Sequence, residues 1–399
     1  MGRRAFIKQS SVLAGGLIFN HELLSAMNFG QAEKINIGVI GTGSRGRGVM
    51  GLINKMPDKF TITALCDIME FQLKPAQEMC PGAKSYKDYR KLLEDKNVQA
   101  VLIATPLFLH YPMGKDALES GKHVYLEKPM TYSIEQAISL VKQAKQHANQ
   151  VLQIGYQIPY SPVYKKITDM IQKGYLGKVT HIYCRFDRNA SWRLPVPDPS
   201  LEEIINWRMY RKYCGGITTE LLSHQMDFIN RAFDTHPDEI FSTGGIDFYK
   251  DGRTTCDNVD IIMRYNKDNM IANFGGTCAN EREGFIFKIK GSKGTVEVLL
   301  DEGFYYPEPD TKKELETVDG VAGATKIQWN DKGGIPIIKE KVPDATSLAL
   351  EEFYHCIIEK RVPASNVFIG KKAAICAHLA NKSLDTHTIQ YWKPEFDIQ

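Results

Sequence analysis

The sequence predicts an α/β protein with a parallel sheet in its first part and an open, mainly antiparallel sheet with helices in its second part. Strand-like and helix-like segments alternate between residues 35 and 156, which is typical of a parallel sheet covered by helices on both faces. After about Tyr160, strand-like runs follow one another across short turns such as "NKDN" and "GSKG", and this favours antiparallel pairing. A length of 399 residues accommodates two or three domains.

The composition excludes several classes of protein. A net charge of +3, with 24% charged residues, does not indicate binding to nucleic acid or to a membrane surface. Eight cysteines are scattered along the chain without Cys-x-x-Cys spacing, so we expect free thiols and no metal centre. The spacing from His224 to Asp227 offers too few partners to change that expectation.

The N-terminal segment has the order of an export signal. A pair of arginines, Arg3 and Arg4, precedes a mildly apolar stretch at residues 12–19, which is typical of the twin-arginine route for folded proteins. The stretch is too short to span a bilayer comfortably, so we expect no stable membrane insertion. The sequence therefore predicts export to the periplasm, with an amphipathic N-terminal helix as the alternative interpretation.

The expected elements follow the pattern of the two parts. The strands of the first part are residues 35–40, 60–67, 98–106, 122–129 and 151–156, and its helices are 44–55, 69–80 with an interruption at Pro75, 110–121 and 133–149. In the second part the strands are 178–187, 240–249, 258–265, 270–277, 284–290 and 295–300, and the helices are 163–173, 216–233, 345–359 and 368–385.

A glycine loop, "GTGSRG", separates the first strand from the first helix. Gly41 permits a tight turn, Gly43 lets the backbone approach a pyrophosphate, and Gly46 lets helix and strand pack closely. The free N–H groups at the start of the helix suit the same anion. The loop and its context therefore predict a Rossmann domain that binds a dinucleotide.

Asp67, at the end of the second strand, favours NAD over NADP. It lies near the expected offset of about 20 residues for a carboxylate on the adenosine ribose. Such a carboxylate accepts hydrogen bonds from the ribose hydroxyls and repels a 2′-phosphate. Ile68 follows it, where a basic residue would favour that phosphate, although Arg45 and Arg47 keep NADP open as an alternative.

Two further stretches carry groups suited to proton and hydride chemistry. Glu127 and Lys128 follow a strand of the predicted parallel sheet, at the end where ligands bind. Glu220 and His224 are four residues apart on one predicted helix and hence on one face, so the carboxylate is placed to tune the histidine. A neutral histidine suits proton abstraction near pH 7.

Taken together, these motifs resemble the Gfo/Idh/MocA oxidoreductases. The matching residues are the glycine loop, Asp67, "ATPLFLH" at 104–110, "GKHVYLEKP" at 121–129 and "GGITTELLSH" at 215–224. The resemblance implies NAD(P)-dependent oxidation or reduction of sugars, inositols and related compounds. It also implies that Lys128 contacts substrate and nicotinamide, that His224 is catalytic, and that Glu220 takes the acidic position. The departures are Glu220 for the usual Asp, Leu222 for glycine and Leu107 for asparagine.

We therefore expect an NAD-dependent oxidoreductase acting on a hydroxyl of a sugar, glycoside or polyol. Residues 1–33 are assigned to the export signal, 34–155 to the Rossmann domain, and 156–399 to a C-terminal domain for substrate binding and homo-oligomerisation. The expected catalytic residues are Lys128, His224 and Glu220. The expected cofactor contacts are Gly41, Gly43, Ser44, Arg45, Gly46, Asp67, Thr105, His110, Glu127 and Lys128. The expected substrate contacts are Lys128, Tyr156, Trp207, Arg208 and His224.

Two alternative functions remain open at this point. The export signal and "GTGSRG" also resemble relatives of the family 109 glycoside hydrolases, which oxidise a sugar transiently, release the aglycone and regenerate bound NAD. Release of sugar from a glycoside without net NADH would select that alternative. The other is a non-catalytic sugar-binding protein with a vestigial Rossmann domain, which would fail to bind NAD.

Overall fold

The computed structural model describes residues 33–300, 302–318, 321–322 and 330–398. The predicted export signal lies outside the described residues except for Glu33. Within the described ranges, no helix combines the length and apolar composition that crossing a membrane requires.

The first sheet has six parallel strands in the order β3-β2-β1-β4-β5-β6. The strands are β1 Ile35–Ile40, β2 Phe60–Cys66, β3 Lys84–Tyr86, β4 Ala100–Ile103, β5 His123–Leu126 and β6 Leu152–Ile154. Between them run α1 Ser44–Ile53, α2 Glu70–Met79, α3 Tyr89–Glu94, α4 His110–Glu119 and α5 Ile134–Gln146. The strand order reverses between β1 and β4, which is where such sheets open a crevice for ligands.

The predicted elements of this sheet form because their apolar runs are buried on both faces. All four residues of β4 are buried, as expected for a central parallel strand. Two details differ from the sequence-based expectation. Helix α2 continues through Pro75 instead of being interrupted there, and the short elements β3 and α3, whose exposed polar residues gave no clear periodicity, were not predicted.

Among the described residues, the second sheet has nine strands, and only the pair formed by its strands β7 and β10 is parallel. Its strands are β7 Val179–Asn189, β8 Glu239–Gly245, β9 Asn258–Tyr265, β10 Met270–Thr277, β11 Ala279–Gly291, β12 Gly294–Leu299, β13 Glu302–Pro307, β16 Ile335–Pro336 and β17 Gln390–Tyr391. A separate two-stranded ribbon pairs β14 Thr317–Val318 with β15 Val321–Ala322. The predicted fold class, a Rossmann domain followed by a mainly antiparallel sheet with helices, is confirmed.

Within the part of the chain that the structure describes, helices cover one face of the second sheet and leave the other face open. The helices of this part are α6 Pro162–Gln172, α7 Glu202–Ile205, α8 Ser223–Ala232, α9 Pro309–Glu316, α10 Ala345–Glu359 and α11 Val367–Thr386. Exposed and buried residues alternate along β9, with Val259 and Met263 in the core and Ile262 exposed. This alternation is typical of an antiparallel sheet with one solvated face.

The two parts share their cores through two helices near the C-terminus. Phe353 of α10 packs against Phe60 and Tyr125 of the first sheet, with ring centroids 6.5 Å and 5.7 Å away. The Gln153 side chain of β6 donates to the carbonyl of Ala349 over 2.7 Å. Helix α11 contacts both α5 and α8. The crevice at the ends of β1, β4 and β5 is therefore fixed relative to the second sheet.

Candidate active site

The three glycines of the loop occupy three different environments. Gly41 has a φ of +90°, and a Cβ there would overlap the carbonyl of Ala104. A Cβ on Gly46 would overlap the carbonyl of Gly41, so this glycine lets α1 approach β1. A Cβ on Gly43 would meet no atom within 4 Å. The open position is the one the sequence assigns to an approaching pyrophosphate.

The start of α1 is free to bind an anion. No side chain caps it at Gly43, and its first turn carries no acidic residue. Its first N–H groups therefore remain available together with the positive end of the helix dipole. With the open position at Gly43, these groups fit the diphosphate of a dinucleotide.

Asp67 is fixed at the edge of the crevice. One of its carboxylate oxygens accepts hydrogen bonds from the backbone N–H and the hydroxyl of Thr42, at 2.8 Å and 3.2 Å. The other accepts from the backbone N–H of Met69 at 2.9 Å. Thr42, which the sequence-based reasoning did not single out, thus ties this carboxylate to the glycine loop.

The two arginines that kept NADP open are engaged with protein groups. Arg47 donates to the Thr42 carbonyl and to the Gln72 side chain, the latter over 2.6 Å. Arg45 forms a 2.7 Å ion pair with Glu127 at the end of β5. Ile68, beside Asp67, is 65% exposed and offers no positive charge to a 2′-phosphate. The environment of the Asp67 carboxylate therefore favours NAD over NADP.

Lys128 joins the two parts of the protein. Its Nζ donates a 2.7 Å hydrogen bond to the backbone carbonyl of Glu220. Burial lowers the pKa of Lys128, while the carboxylates of Glu220 and Glu127 act in the opposite direction. The ammonium therefore lies at the carboxyl end of β5, between the Rossmann domain and the helix that carries His224.

His224 is buried and held in its neutral form. Burial lowers the pKa of His224 well below its usual range, and the charges of Lys128 and Arg45 lower it further. Its Nδ1 is buried and has no hydrogen-bond partner among the described residues. A neutral imidazole with an uncommitted nitrogen is the form that a general base requires.

Tyr156 lies behind His224 instead of on the wall of the cleft. It is fully buried, and its ring meets the imidazole edge to face with centroids 5.5 Å apart. The predicted direct contact with substrate is replaced in the structure by this contact with His224. The reason is that Gly155 and Tyr156 follow β6 into the shared core and do not turn outward.

Glu220 pairs with Arg208 and not with His224. Its Oε2 accepts from Arg208 Nε at 3.0 Å, and the Arg208 guanidinium lies 4.0 Å from the centre of the Trp207 ring. Residues 218–222 form a π-helical turn before α8. The wider turn shifts the four-residue spacing off a common face, so the predicted tuning of His224 by Glu220 gives way to a contact with Arg208.

His110 supports the segment that carries Lys128. Its two ring nitrogens lie 2.7 Å from the Pro129 carbonyl and 2.9 Å from the Thr105 carbonyl. Burial lowers the pKa of His110. The residue borders the cleft, as expected for a cofactor contact, and the single N–H of its neutral ring donates to one of these two carbonyls.

A cleft of about 950 Å³ connects most of these groups. It is lined by most of the predicted site: Gly41, Gly43, Ser44, Arg45, Asp67, Thr105, His110, Glu127, Lys128, Trp207, Arg208 and Glu220. Gly46, Tyr156 and His224 lie behind this lining. The volume falls in the upper range of small-molecule sites. Apolar lining residues such as Leu194 and Ile204 gave no signal in the sequence, because exposure of an apolar side chain leaves no local pattern.

Family comparisons agree with this geometry. Residues 35–156 match the family described as an oxidoreductase family with an NAD-binding Rossmann fold, and residues 164–297 match the GFO/IDH/MocA C-terminal domain. The chain is a member of the Gfo/Idh/MocA family. As in that family, the first domain is an NAD-binding Rossmann domain.

Individual Gfo/Idh/MocA relatives differ in how much of the chain they match. A myo-inositol 2-dehydrogenase of Thermotoga maritima is 24% identical over 88% of this chain and 96% of its own length. An uncharacterised oxidoreductase of Synechocystis is 34% identical, but the match covers 40% of this chain and 42% of that protein. A glycosyl hydrolase family 109 protein of Shewanella amazonensis is 28% identical over 41% of this chain and 38% of its own length.

Solved structures share the fold. A levoglucosan dehydrogenase in complex with NADH and levoglucosan aligns with a TM-score of 0.73 at 17% identity, over 90% of this chain and 99% of that one. A myo-inositol 2-dehydrogenase of Lactobacillus plantarum aligns with a TM-score of 0.70 at 18% identity, over 90% of this chain and all of that one.

Two glycine variants separate cofactor binding from folding. Gly43→Ala adds a methyl group where no protein atom lies within 4 Å, so we expect unchanged thermal stability. Because the methyl group obstructs the diphosphate, we expect NAD affinity to fall about tenfold or more. Gly46→Ala should lower the free energy of unfolding by about 1–3 kcal/mol through overpacking. Calorimetry and NAD titration of both variants measure these effects. Normal NAD affinity in Gly43→Ala would contradict the assignment of the loop.

Asp67 variants test the preference for NAD. We expect Asp67→Ala to weaken NAD binding more than NADP binding, because it removes both the ribose acceptor and the repulsion of a 2′-phosphate. Asp67→Asn keeps an acceptor for the loop but removes the charge, so it should shift the ratio of the two affinities in the same direction. Titration of NAD and NADP into the wild-type protein and both variants measures the ratio of the two affinities. Equal losses for NAD and NADP would show that Asp67 only stabilises the loop.

Proposed function

We propose that this protein oxidises a hydroxyl group of a sugar, glycoside or polyol, with NAD bound in the cleft. The observation that carries the proposal is the position of Lys128, whose ammonium reaches from the end of β5 to the Glu220 carbonyl beside the buried His224. The full-length similarity to a myo-inositol 2-dehydrogenase supports the class of substrate.

The Rossmann part would hold the cofactor through distinct groups. The first N–H groups of α1 and the open position at Gly43 receive the diphosphate, and Asp67 receives the adenosine ribose. Glu127 and His110 border the region next to Lys128. When bound there, the nicotinamide supplies the acceptor for the hydride that leaves the substrate carbon.

Lys128 and His224 divide the work on the substrate oxygen. The Lys128 ammonium donates a hydrogen bond to the reacting hydroxyl and stabilises the negative charge that develops on its oxygen. His224, which lies behind the cleft lining and is 7% exposed, is the neutral ring that we assign to take the hydroxyl proton from a substrate held at Lys128. The hydrogen on carbon leaves as hydride with the electron pair of the C–H bond. The hydroxyl hydrogen leaves as a proton, and the electron pair of the O–H bond stays on oxygen as the carbonyl group forms. Glu220 holds Arg208 over Trp207 and so shapes the substrate side.

A redox-neutral glycosidase is the second candidate. The similarity to glycosyl hydrolase family 109 proteins, which covers less than half of those chains, favours it. That activity would use the same oxidation step and would then return the electron pair, so aglycone release without net NADH distinguishes it. A non-catalytic sugar-binding role is the weaker alternative, since the glycine loop and Lys128 retain the geometry for chemistry.

The open face of the second sheet suits a homo-oligomer. Phe241 of β8 and Ile262 of β9 lie opposite each other on this face and are 41% and 48% exposed. Covering such side chains with a second copy removes apolar surface from water. Sedimentation of the purified protein measures the oligomeric state, and a monomer at micromolar concentration would exclude this part of the proposal.

Substitution of the two central groups tests the proposed chemistry. We expect Lys128→Met and His224→Ala each to lower kcat by about 10²–10⁴-fold while NAD still binds. Because the pKa of His224 is lowered, kcat should stay high below pH about 6.5, the ordinary histidine value, and fall only when His224 is protonated at lower pH. The measurements are steady-state rates of NADH formation with a sugar that the wild-type protein oxidises, together with NAD titrations. A His224→Ala enzyme within a few-fold of wild type would remove His224 from the mechanism.

Export in the folded state predicts that NAD travels with the protein. Arg3 and Arg4 support the twin-arginine route, and a cofactor enclosed between two parts of a chain leaves slowly. We expect the mature protein in the periplasmic fraction, and NAD in the supernatant when dialysed protein is denatured. An Arg3→Lys, Arg4→Lys variant should stay in the cytoplasm with its NAD. Equal fractionation of both proteins would contradict the export assignment.

A further inference from the structure

Apolar side chains lie around the mouth of the cleft, on the side where we propose that the substrate binds. We call this set the apolar rim; it consists of Phe108, Leu194, Ile204, Ile205, Trp207 and Tyr213, all of which line the cleft. Leu194 is 53% exposed and Ile204 is 39% exposed. Large apolar side chains gathered around a cleft and left in water are typical of a binding surface.

Polar contacts behind the apolar rim hold its backbone in place. Leu194 donates its backbone N–H to the Asn206 side chain at 2.7 Å, and Asn206 returns a 3.0 Å bond to the Leu194 carbonyl. Asn206 itself is buried. The neighbouring Arg193 pairs with Glu202 and, at 3.3 Å, with Asp251. Leu194 is therefore exposed on a fixed segment.

The apolar rim also joins the two parts of the chain and carries little free charge. The rings of Phe108, after β4, and Tyr213, before α8, have centroids 5.0 Å apart. Glu203, which lines the same wall, pairs with Lys212 and accepts from the Tyr213 hydroxyl at 2.9 Å. A surface whose charges are paired in this way suits an apolar group better than an ionic one.

A short path of contacts connects the apolar rim to the reacting groups. The Lys128 ammonium contacts the Glu220 backbone, the Glu220 carboxylate contacts Arg208, and Arg208 covers one face of the Trp207 ring. The cleft is thus polar at its inner end and apolar at its outer end. A free polyol, which carries hydroxyls on every carbon, would match the inner end and leave the apolar rim in contact with water.

We propose that the substrate is a glycoside with an apolar, aryl or alkyl aglycone, whose sugar ring reacts at Lys128 while the aglycone lies against the apolar rim. This inference rests on the proposed oxidation of a sugar hydroxyl, and it narrows the substrates from sugars in general to glycosides of this kind. The aglycone contributes binding energy remote from the reacting carbon.

Matched pairs of glycosides test the inference. The probes are the methyl and phenyl glycosides of glucose, galactose and N-acetylglucosamine in both anomeric forms, with the free sugars and myo-inositol for comparison. The rate of NADH formation in a single turnover of the NAD-loaded protein, with each compound below saturation, gives kcat/KM for that compound. For the sugar that is accepted, we expect the phenyl glycoside to exceed the methyl glycoside by about tenfold or more, because the ring buries apolar surface.

Variants of the apolar rim provide the second arm. Leu194→Ser combined with Ile204→Ser should abolish most of the phenyl-over-methyl preference while kcat/KM for the methyl glycoside changes little. Val362→Ser, at a position 69% exposed between α10 and α11, is the matched control and should keep the preference. Thermal melts of all variants verify that they fold.

The outcomes separate the inference from the proposed function. Equal kcat/KM for methyl and phenyl glycosides, or oxidation of free sugars and polyols alone, would overturn the aglycone site and leave the oxidoreductase proposal standing. A preference that survives in the double variant would also overturn the assignment to the apolar rim. Neither NADH nor a released aglycone from any compound, by a protein that binds NAD on titration, would overturn both.

Discussion

The hydrogen bond from the Lys128 ammonium to the Glu220 carbonyl is the contact on which the site depends. It connects the end of β5 in the first sheet to the turn before α8 in the second part. A buried cation is costly unless acceptors and opposite charges surround it, and here the Glu220 carbonyl and the carboxylates of Glu220 and Glu127 do so. The joint between the two parts is therefore also the place where charge is available to a substrate.

The same ammonium influences the proposed base. Burial alone disfavours the charged form of His224, and the positive charges of Lys128 and Arg45 add to that effect. The cation that we propose to stabilise a developing oxyanion thus also favours the neutral form of the neighbouring imidazole. The edge-to-face contact with Tyr156 fixes the plane of the imidazole without occupying its Nδ1.

Local patterns in the sequence were enough to predict the class of fold and part of the cleft lining, but they did not predict the long-range contacts. The glycine loop and Asp67 could be assigned because each occupies a fixed place relative to a strand end. Glu220 was expected to contact His224 because a regular α-helix was assumed, and the π-helical turn changed its partner to Arg208. The burial of Tyr156 depends on how the two parts pack, which periodicity does not report.

The transfer of deuterium from substrate to cofactor tests the central claim most directly. The wild-type protein is incubated with NAD and with sugars and glycosides deuterated at every ring carbon, and the reduced cofactor is analysed by mass spectrometry. We expect reduced cofactor that carries one deuterium, with far less of it formed by Lys128→Met. Reduced cofactor without deuterium, or equal transfer by the Lys128→Met protein, would contradict the account.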